Sequence, residues 1–282
     1  MRFSGRLALA SILAALSALA LASGASATSH HPTGEFERFG ECPLSRSTIE
    51  YCLDTEVDSG SYELGSKTVP IVNPITLQGG YEGSAPIEFF GAENGVTLSK
   101  APEPVPGGLL GLTAPNTWPA GVQEWFNDGI NEGLTGMSAT IELVAPATLV
   151  ELSLENLLEE TGTALGLQVR IHLESALLGS NCYVATEPAP LSLELTTGES
   201  GSLSGSPGEL TFNPSFTIAT FEGLRLVDGA VAEPEAAGCG GIYSSYVDPF
   251  INSVLNLSAS GEFSLEGMLS VGEAAEVRAH DM

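Results

Sequence analysis

Strict alternation of apolar and polar residues is the feature that most limits how this chain can fold. Residues 150–155, 168–174, 191–197 and 262–271 each place apolar side chains at alternate positions with polar residues between them. Because a strand points successive side chains to opposite faces, such segments bury one face and leave the other exposed to solvent, as in antiparallel sheets. Turn-forming clusters such as 196–208 separate them. The pattern predicts a mainly β fold, an antiparallel β-sandwich or barrel.

Two or three short helices are expected to interrupt the strands. Residues 120–134 carry apolar side chains at helical spacing, and residues 247–257 offer Asp248 as an N-cap and Pro249 at the first helical position. Residues 155–162 fit either a strand end or a helical turn. We expect the apolar stripes of the first two helices to pack in the core. These stripes are Val122, Trp125, Phe126 and Ile130 in the first helix and Phe250, Ile251, Val254 and Leu255 in the second.

The N-terminus, residues 1–27, has the pattern of a secretory signal peptide. Arg2 and Arg6 precede an apolar run over 7–22, and small residues form a cleavage site. The run is shorter than the roughly 20 apolar residues that a membrane-spanning helix needs. We therefore predict cleavage after Ala27 and a protein that is either secreted or held in the cell envelope, with no transmembrane segment in the mature chain.

The mature chain is predicted to consist of a short leader and one domain. Residues 28–40 are polar with few apolar anchors, which indicates a flexible leader. Residues 41–282 form a single β-rich domain in this interpretation. The proline-rich segment 101–108 (APEPVPGG) either divides two subdomains or, as we favour, forms a surface loop.

The charge of the chain limits its partners. It contains 35 Asp and Glu against 9 Lys and Arg, and because the signal peptide carries two arginines and no acids, its removal lowers the formal net charge from −26 to −28. Such a surface repels nucleic acids and anionic lipid. Solubility outside the cell is the favoured explanation of the acidity, and cation binding is the alternative.

Four cysteines in an exported chain indicate two disulfides, for which three pairings exist. We favour Cys42–Cys52, which closes a short loop, together with Cys182–Cys239. Thiol catalysis has little support because the chain has no C-x-x-C motif and no basic neighbour in sequence that would lower a thiol pKa.

The strand at 168–174 also offers a candidate acid–base group. Arg170, His172 and Glu174 share one face of it, and a histidine between a guanidinium and a carboxylate is a plausible proton-transfer site. The favoured alternative is that Arg170 and His172 face glutamates of a neighbouring strand, such as Glu151 or Glu194, as stabilising cross-strand pairs. No catalytic residue is therefore assigned.

Two metal sites can be considered. Asp54, Glu56 and Asp58 are spaced like the start of an EF-hand loop, but Ser59 and Gly65 occupy the positions of the essential glycine and glutamate, so a strand with an acidic face is favoured.

Cleavage after Ala27 would also expose a free terminus at 28–30. Its amine, backbone nitrogens and the His30 imidazole suit square-planar Cu(II) or Ni(II), which makes His30 a weak metal candidate.

The C-terminal half contains four distinctive sequence segments: LGSNCYV, PLSLELTTG, LVDGAVAEPEAAGCGG and VDPFINSVLNL. Through them, residues 165–257 resemble a set of uncharacterised secreted proteins of high-GC Gram-positive bacteria. The resemblance implies export and a fold tied at Cys182 and Cys239. It implies no activity and no catalytic residue.

Taken together, these features predict an exported, non-catalytic, acidic β-rich protein with a binding or envelope-structural role and no cofactor. Its ligand is unknown. It is either hydrophobic, and then held in the interior of the barrel or sandwich, or associated with the envelope. The alternative is a secreted hydrolase that uses paired carboxylates, as glycosidases do.

Overall fold

The computed structural model describes residues 30–83, 88–144, 150–257 and 260–281, so the predicted signal peptide and residues 28–29 lie outside it. In these ranges the strands are β1 (Tyr51–Leu64), β2 (Lys67–Pro70), β3 (Ile75–Glu82), β4 (Glu88–Gly91), β5 (Pro102–Pro104), β6 (Ser138–Leu143), β7 (Glu151–Leu152), β8 (Leu165–Glu174), β9 (Tyr183–Val184), β10 (Leu191–Leu195), β11 (Glu199–Ser200), β12 (Leu203–Ser204), β13 (Glu209–Phe212), β14 (Ile218–Ala232), β15 (Ala236–Ala237) and β16 (Ser260–Glu273). The helices are α1 (Ala120–Asn131), α2 (Leu154–Glu159), α3 (Ser244–Leu255) and α4 (Ala274–Ala279), with 3₁₀ turns at Gly34–Phe39, Gly108–Leu110 and Gly241–Tyr243.

Two antiparallel sheets form a sandwich-like fold, and neither closes into a barrel over the described residues. The first sheet has the order β13-β14-β16-β1-β3-β4, with β2 paired to β1. The second has the order β15-β9-β8-β6-β5, with β7 and β10 paired to β8. The predicted mainly β, antiparallel fold with a few short helices is confirmed, and of the two architectures proposed it is the sandwich.

The alternating segments supply the core between the sheets. In β8, Val169, Ile171 and Leu173 are fully buried while the residues between them reach the other face. The same pattern holds in β10 and over residues 260–266 of β16, whereas residues 269–272 are all buried. It fails at 150–155, where the chain leaves the strand after Leu152 and enters α2. The ambiguous segment at 155–162 is therefore mostly helical.

The N-terminal segment is ordered rather than loose. The predicted flexible leader at 28–40 includes the 3₁₀ turn Gly34–Phe39, in which Phe36 and Phe39 are almost completely buried. They pack in a small apolar cluster with residues such as Ile49 and Val277. The prediction for residues 30–40 is wrong because two phenylalanines provide more burial than the polar composition of the segment indicates.

Two disulfides tie the fold, with the pairing that we favoured. Cys42 is bonded to Cys52 and Cys182 to Cys239. The second bond joins β9 of the second sheet to the chain that leads into α3. All four residues are buried, and no free cysteine remains.

Helix α1 is the clearest departure from the predicted packing. No residue of it is buried, and Trp125 is 75% exposed. Part of its apolar stripe contacts a neighbouring loop instead of the core: Phe126 meets Trp118 edge-on, with ring centroids 5.5 Å apart. Helical spacing predicted the helix correctly, but the two sheets already fill the core, so its apolar face stays at the surface.

Helix α3 starts earlier than predicted. It begins at Ser244, so Asp248 and Pro249 lie inside it. Asp248 does not cap this helix but accepts a hydrogen bond from the backbone N–H of Cys239 at 2.7 Å, which fixes the chain beside the second disulfide. Its predicted stripe is half correct, because Ile251 and Leu255 are buried while Phe250 is exposed.

Candidate functional site

An apolar groove opens at one end of the sandwich, where the inner face of the first sheet extends beyond the second. Thr55 lines the cavity between the sheets, so Leu53 and Tyr51, two and four positions earlier in β1, point to the same side. Leu53 is 1% exposed, whereas Tyr51 is 36% exposed. The inner face is therefore uncovered at Tyr51, which lines an open groove of about 420 Å³.

Elements distant in sequence build the walls of this groove. Phe221 and Val271, from β14 and β16, form its floor. Phe212 from the edge strand β13 lines one side, and Leu154 and Leu158 of α2 also line it. Side chains of these types bind ligands through apolar contact area. The groove thus has the composition of a binding site for an apolar molecule.

Phe216 is the most unusual residue of the groove. It is 76% exposed and has a φ of 58°, in the left-handed region where a bulky residue is strained. The side chain of Asn213 holds the turn by accepting hydrogen bonds from the backbone N–H groups of Thr217 and Ile218 at 2.8 and 2.9 Å. The ring of Phe216 lies 5.8 Å from that of Phe212. A strained backbone thus presents an aromatic ring to solvent at the groove.

A pair of stacked tyrosines lies toward the other end of the groove. Tyr51 faces Tyr81 across β1 and β3, and the ring centroids are 5.3 Å apart. Burial, together with the nearby Tyr51, raises the pKa of Tyr81 above its ordinary value, so this phenol stays protonated. The pair therefore adds aromatic surface to this end of the groove.

Carboxylates flank the tyrosine end. Glu273 lies opposite Tyr51 in the sheet and lines the groove. Glu50 lies beside Gly83, another lining residue, so closely that a Cβ on Gly83 would collide with its carboxylate. Among the described lining residues there is no Lys or Arg. The groove therefore combines apolar walls with negative charge at one end.

The predicted acid–base face of β8 is a compact polar cluster. Arg170 donates two hydrogen bonds to Glu142 on β6, at 3.0 and 2.9 Å, and Lys100 donates one at 2.8 Å. The cross-strand partner is thus Glu142 rather than Glu151 or Glu194, which lie opposite Gly166 instead.

Electrostatics and stacking both stabilise this cluster. Burial alone would raise the pKa of Glu142, but the hydrogen bonds from Lys100 and Arg170 hold it below its ordinary value. The ring of His172 stacks on Tyr183 at 4.5 Å, and the Arg170 guanidinium lies 4.2 Å from the centre of the same ring. The carboxylates nearest to His172 Nδ1, those of Glu174 and Glu142, are 3.8 and 3.9 Å away, too far for a hydrogen bond. The arrangement favours cross-strand stabilisation over proton transfer.

The acidic segment of β1 forms part of the outer face of the first sheet. Asp54 is buried and accepts a hydrogen bond from Gln78 at 2.9 Å, and its burial raises its pKa. Glu56 and Asp58 line a polar surface depression of about 640 Å³. Glu222 and Glu266 complete its acidic lining, and Arg225 forms an ion pair with Glu266 at 3.4 Å.

His30 begins the described chain and contacts the opposite terminus. Its Nδ1 pairs with the carboxylate of Asp281. Copper binding through this imidazole would have to displace that contact, and the rest of the predicted site, residues 28 and 29, lies outside the described part. In the ranges given above, no group of three or more His, Cys, Asp or Glu is placed to hold a metal ion.

Glu233 is a buried carboxyl group that the sequence did not single out. It follows β14 and accepts a hydrogen bond from the backbone N–H of Gly65 at 2.7 Å. Burial raises its pKa to about 7; the Gly65 hydrogen bond opposes this shift and the nearby Glu63 adds to it. The charged form is therefore disfavoured in the folded state.

This raised pKa makes stability depend on pH. The folded state holds the proton of the Glu233 carboxyl group more tightly than the unfolded chain does. The contribution of this proton to the free energy of unfolding is therefore complete below about pH 4.5 and is lost as the pH rises through about 7. We expect Glu233→Gln to be more stable than the wild type at pH 8 by about 1–2 kcal/mol and equally stable at pH 4.5. Urea denaturation across this range tests it, with the exposed Glu235→Gln as the control. Equal pH slopes in wild type and Glu233→Gln would contradict the assignment.

No helix within the described residues is long and apolar enough to cross a bilayer. Comparisons of the chain with protein-family models, with curated proteins and with solved structures find no match. The resemblance to secreted proteins of high-GC Gram-positive bacteria stays a prediction.

Proposed function

We propose that this chain is an exported binding protein that holds an apolar ligand in the groove at the end of its sandwich. The observation that carries the proposal is Phe216, a strained and exposed phenylalanine beside an open apolar groove of about 420 Å³. Strain of this kind costs about 1–2 kcal/mol, and such residues cluster at binding sites. The groove also falls within the range of about 300–1,000 Å³ typical of ligand pockets.

The groove is a better site for a hydrophobic ligand than the sandwich interior. The cavity lined by Thr55, Val57 and aliphatic side chains of both sheets has a volume of about 40 Å³. This is several times smaller than the roughly 300 Å³ at which ligand pockets begin. A hydrophobic ligand would therefore bind at the open end of the sandwich.

Export is supported by two independent features. The N-terminal pattern is that of a cleaved signal peptide. Two disulfides are expected of proteins that fold in an oxidising compartment.

The alternative, a secreted hydrolase with paired carboxylates, has weaker support. Its best location is the acidic depression on the outer face of the first sheet. There the carboxylates are spread over three strands, and that of Glu266 is already paired with Arg225. A glycosidase instead needs two carboxylates at a set separation across one bond. Binding in the groove therefore remains the proposal.

A neutral fluorescent probe tests the groove. We expect N-phenyl-1-naphthylamine to bind the folded protein and Phe216→Ala to weaken that binding about tenfold, or about 1.4 kcal/mol. Phe250→Ala is the matched control, since Phe250 is also an exposed phenylalanine but lies on α3 and not in the groove. Absence of probe binding, or equal weakening by the two variants, would refute the proposal.

Phe216→Gly separates binding from stability. Glycine adopts a positive φ without strain, so we expect this variant to be more stable than the wild type by about 0.5–1 kcal/mol in urea denaturation. Because it also removes the ring, probe binding should weaken as in Phe216→Ala. A loss of stability in Phe216→Gly would mean that the ring stabilises the fold, which would remove the argument that it is retained for binding.

A further inference from the structure

The two ends of the groove differ in chemistry. At one end lie the Tyr51–Tyr81 pair and the carboxylates of Glu273 and Glu50. At the other end lie apolar residues of β13 and the Phe216 ring. A ligand that satisfies both ends has a polar head and an apolar tail.

The separation of the two ends sets the length of that ligand. Strands β14 and β16 lie between β1 and β13, so the tyrosine and phenylalanine ends are three strand spacings apart. At about 4.8 Å per spacing this is about 14 Å, comparable to an extended dodecyl chain. The groove therefore runs across the strands and matches a single alkyl chain.

Two carboxylates give the head end its negative charge. The carboxylates of Glu273 and Glu50 have no hydrogen-bond or ion-pair partner within the described residues, and no described lining residue is basic. The ring of Tyr51, which is 36% exposed, attracts cations through its π-electrons. A cationic head would thus meet carboxylates and the exposed ring of Tyr51.

Building on the proposed function, we infer that the ligand is a single-chain cationic amphiphile, with a substituted ammonium head at Tyr51 and Glu273 and its alkyl tail running toward Phe212 and Phe216. The carboxylates attract the head, and the exposed Tyr51 ring favours an ammonium over a neutral head group. The phenylalanine and leucine side chains of the walls bury the tail. An anionic amphiphile of the same length would be repelled.

Three dodecyl compounds test this inference by displacing the neutral naphthylamine probe below their micelle concentrations. They are dodecyltrimethylammonium, dodecyl maltoside and dodecyl sulfate. We expect the cation to displace the probe at a concentration at least tenfold below that of the maltoside, and the sulfate to be the weakest. If the probe binds but the cation has no advantage, the charge inference fails and the binding groove stands. If the probe does not bind, the proposed function itself fails.

A matched pair of variants separates the groove from the general acidity of the chain. Glu273→Gln should reduce the preference for the cation over the maltoside about three- to tenfold. Glu276→Gln removes the same charge from α4, outside the groove lining, and should keep the wild-type preference. An equal loss of preference in both variants would show that net charge rather than the groove selects the cation, which would overturn the inference.

Discussion

Replacing Cys182 and Cys239 together by alanine is expected to lower the free energy of unfolding by about 4 kcal/mol. The bonded residues are 57 positions apart, so the crosslink removes many conformations from the unfolded chain. Both residues are fully buried, and the bond holds β9 to the segment that precedes α3. Loss of the bond therefore leaves this junction to the pairing of β9 with β15 and to the hydrogen bonds of α3.

The other disulfide provides the internal comparison. Cys42 and Cys52 are only 10 positions apart, so replacing both by alanine should cost less, about 3 kcal/mol. Urea denaturation of each double variant, with the remaining bond verified by non-reducing peptide mapping, measures the two losses. A larger loss for the Cys42–Cys52 variant would contradict the loop-length argument and point to local packing around Phe39 instead.

Local periodicity was sufficient to predict a mainly β, antiparallel fold, and it left the sandwich and the barrel open. In β8, period-two alternation identifies which side chains are buried, since the geometry of a strand depends only on neighbouring residues. Periodicity could not identify the cross-strand partner of Arg170. That partner, Glu142, depends on which strands pair and in which register, which a single strand does not encode.

The groove could not be predicted for the same reason. Its residues come from β1, from α2 and from the hairpin of β13 and β14 with its turn at Phe216, and these three parts lie far apart in sequence. In the sequence, Tyr51 has the pattern of an ordinary strand residue. It is exposed because the second sheet does not extend far enough to cover it. The errors in α1 and in the leader also concern what covers an apolar face, rather than which secondary structure forms.

Glu103 illustrates how a residue in an apparent loop ties the sheets together. The proline-rich segment 101–108 contains β5, the edge strand of the second sheet, and Glu103 in it is 1% exposed. Its two carboxylate oxygens accept hydrogen bonds from the backbone N–H groups of Val72 and Asn73, at 2.9 and 3.0 Å. These residues belong to the connection between β2 and β3 of the first sheet. One buried side chain thus fixes the first sheet to the edge of the second.

Glu103→Ala is accordingly expected to destabilise the protein by about 3 kcal/mol, because two backbone donors lose a charged acceptor. Glu103→Gln should cost about half as much, since the amide keeps one acceptor oxygen and turns a donor toward the second N–H. The exposed Glu151→Ala on β7 is the control and should change stability by less than about 0.5 kcal/mol. Urea denaturation measures the free energies, and amide hydrogen exchange at Val72 and Asn73 should accelerate in Glu103→Ala. Unchanged exchange at those two amides would show that Glu103 is not what holds this connection against the second sheet.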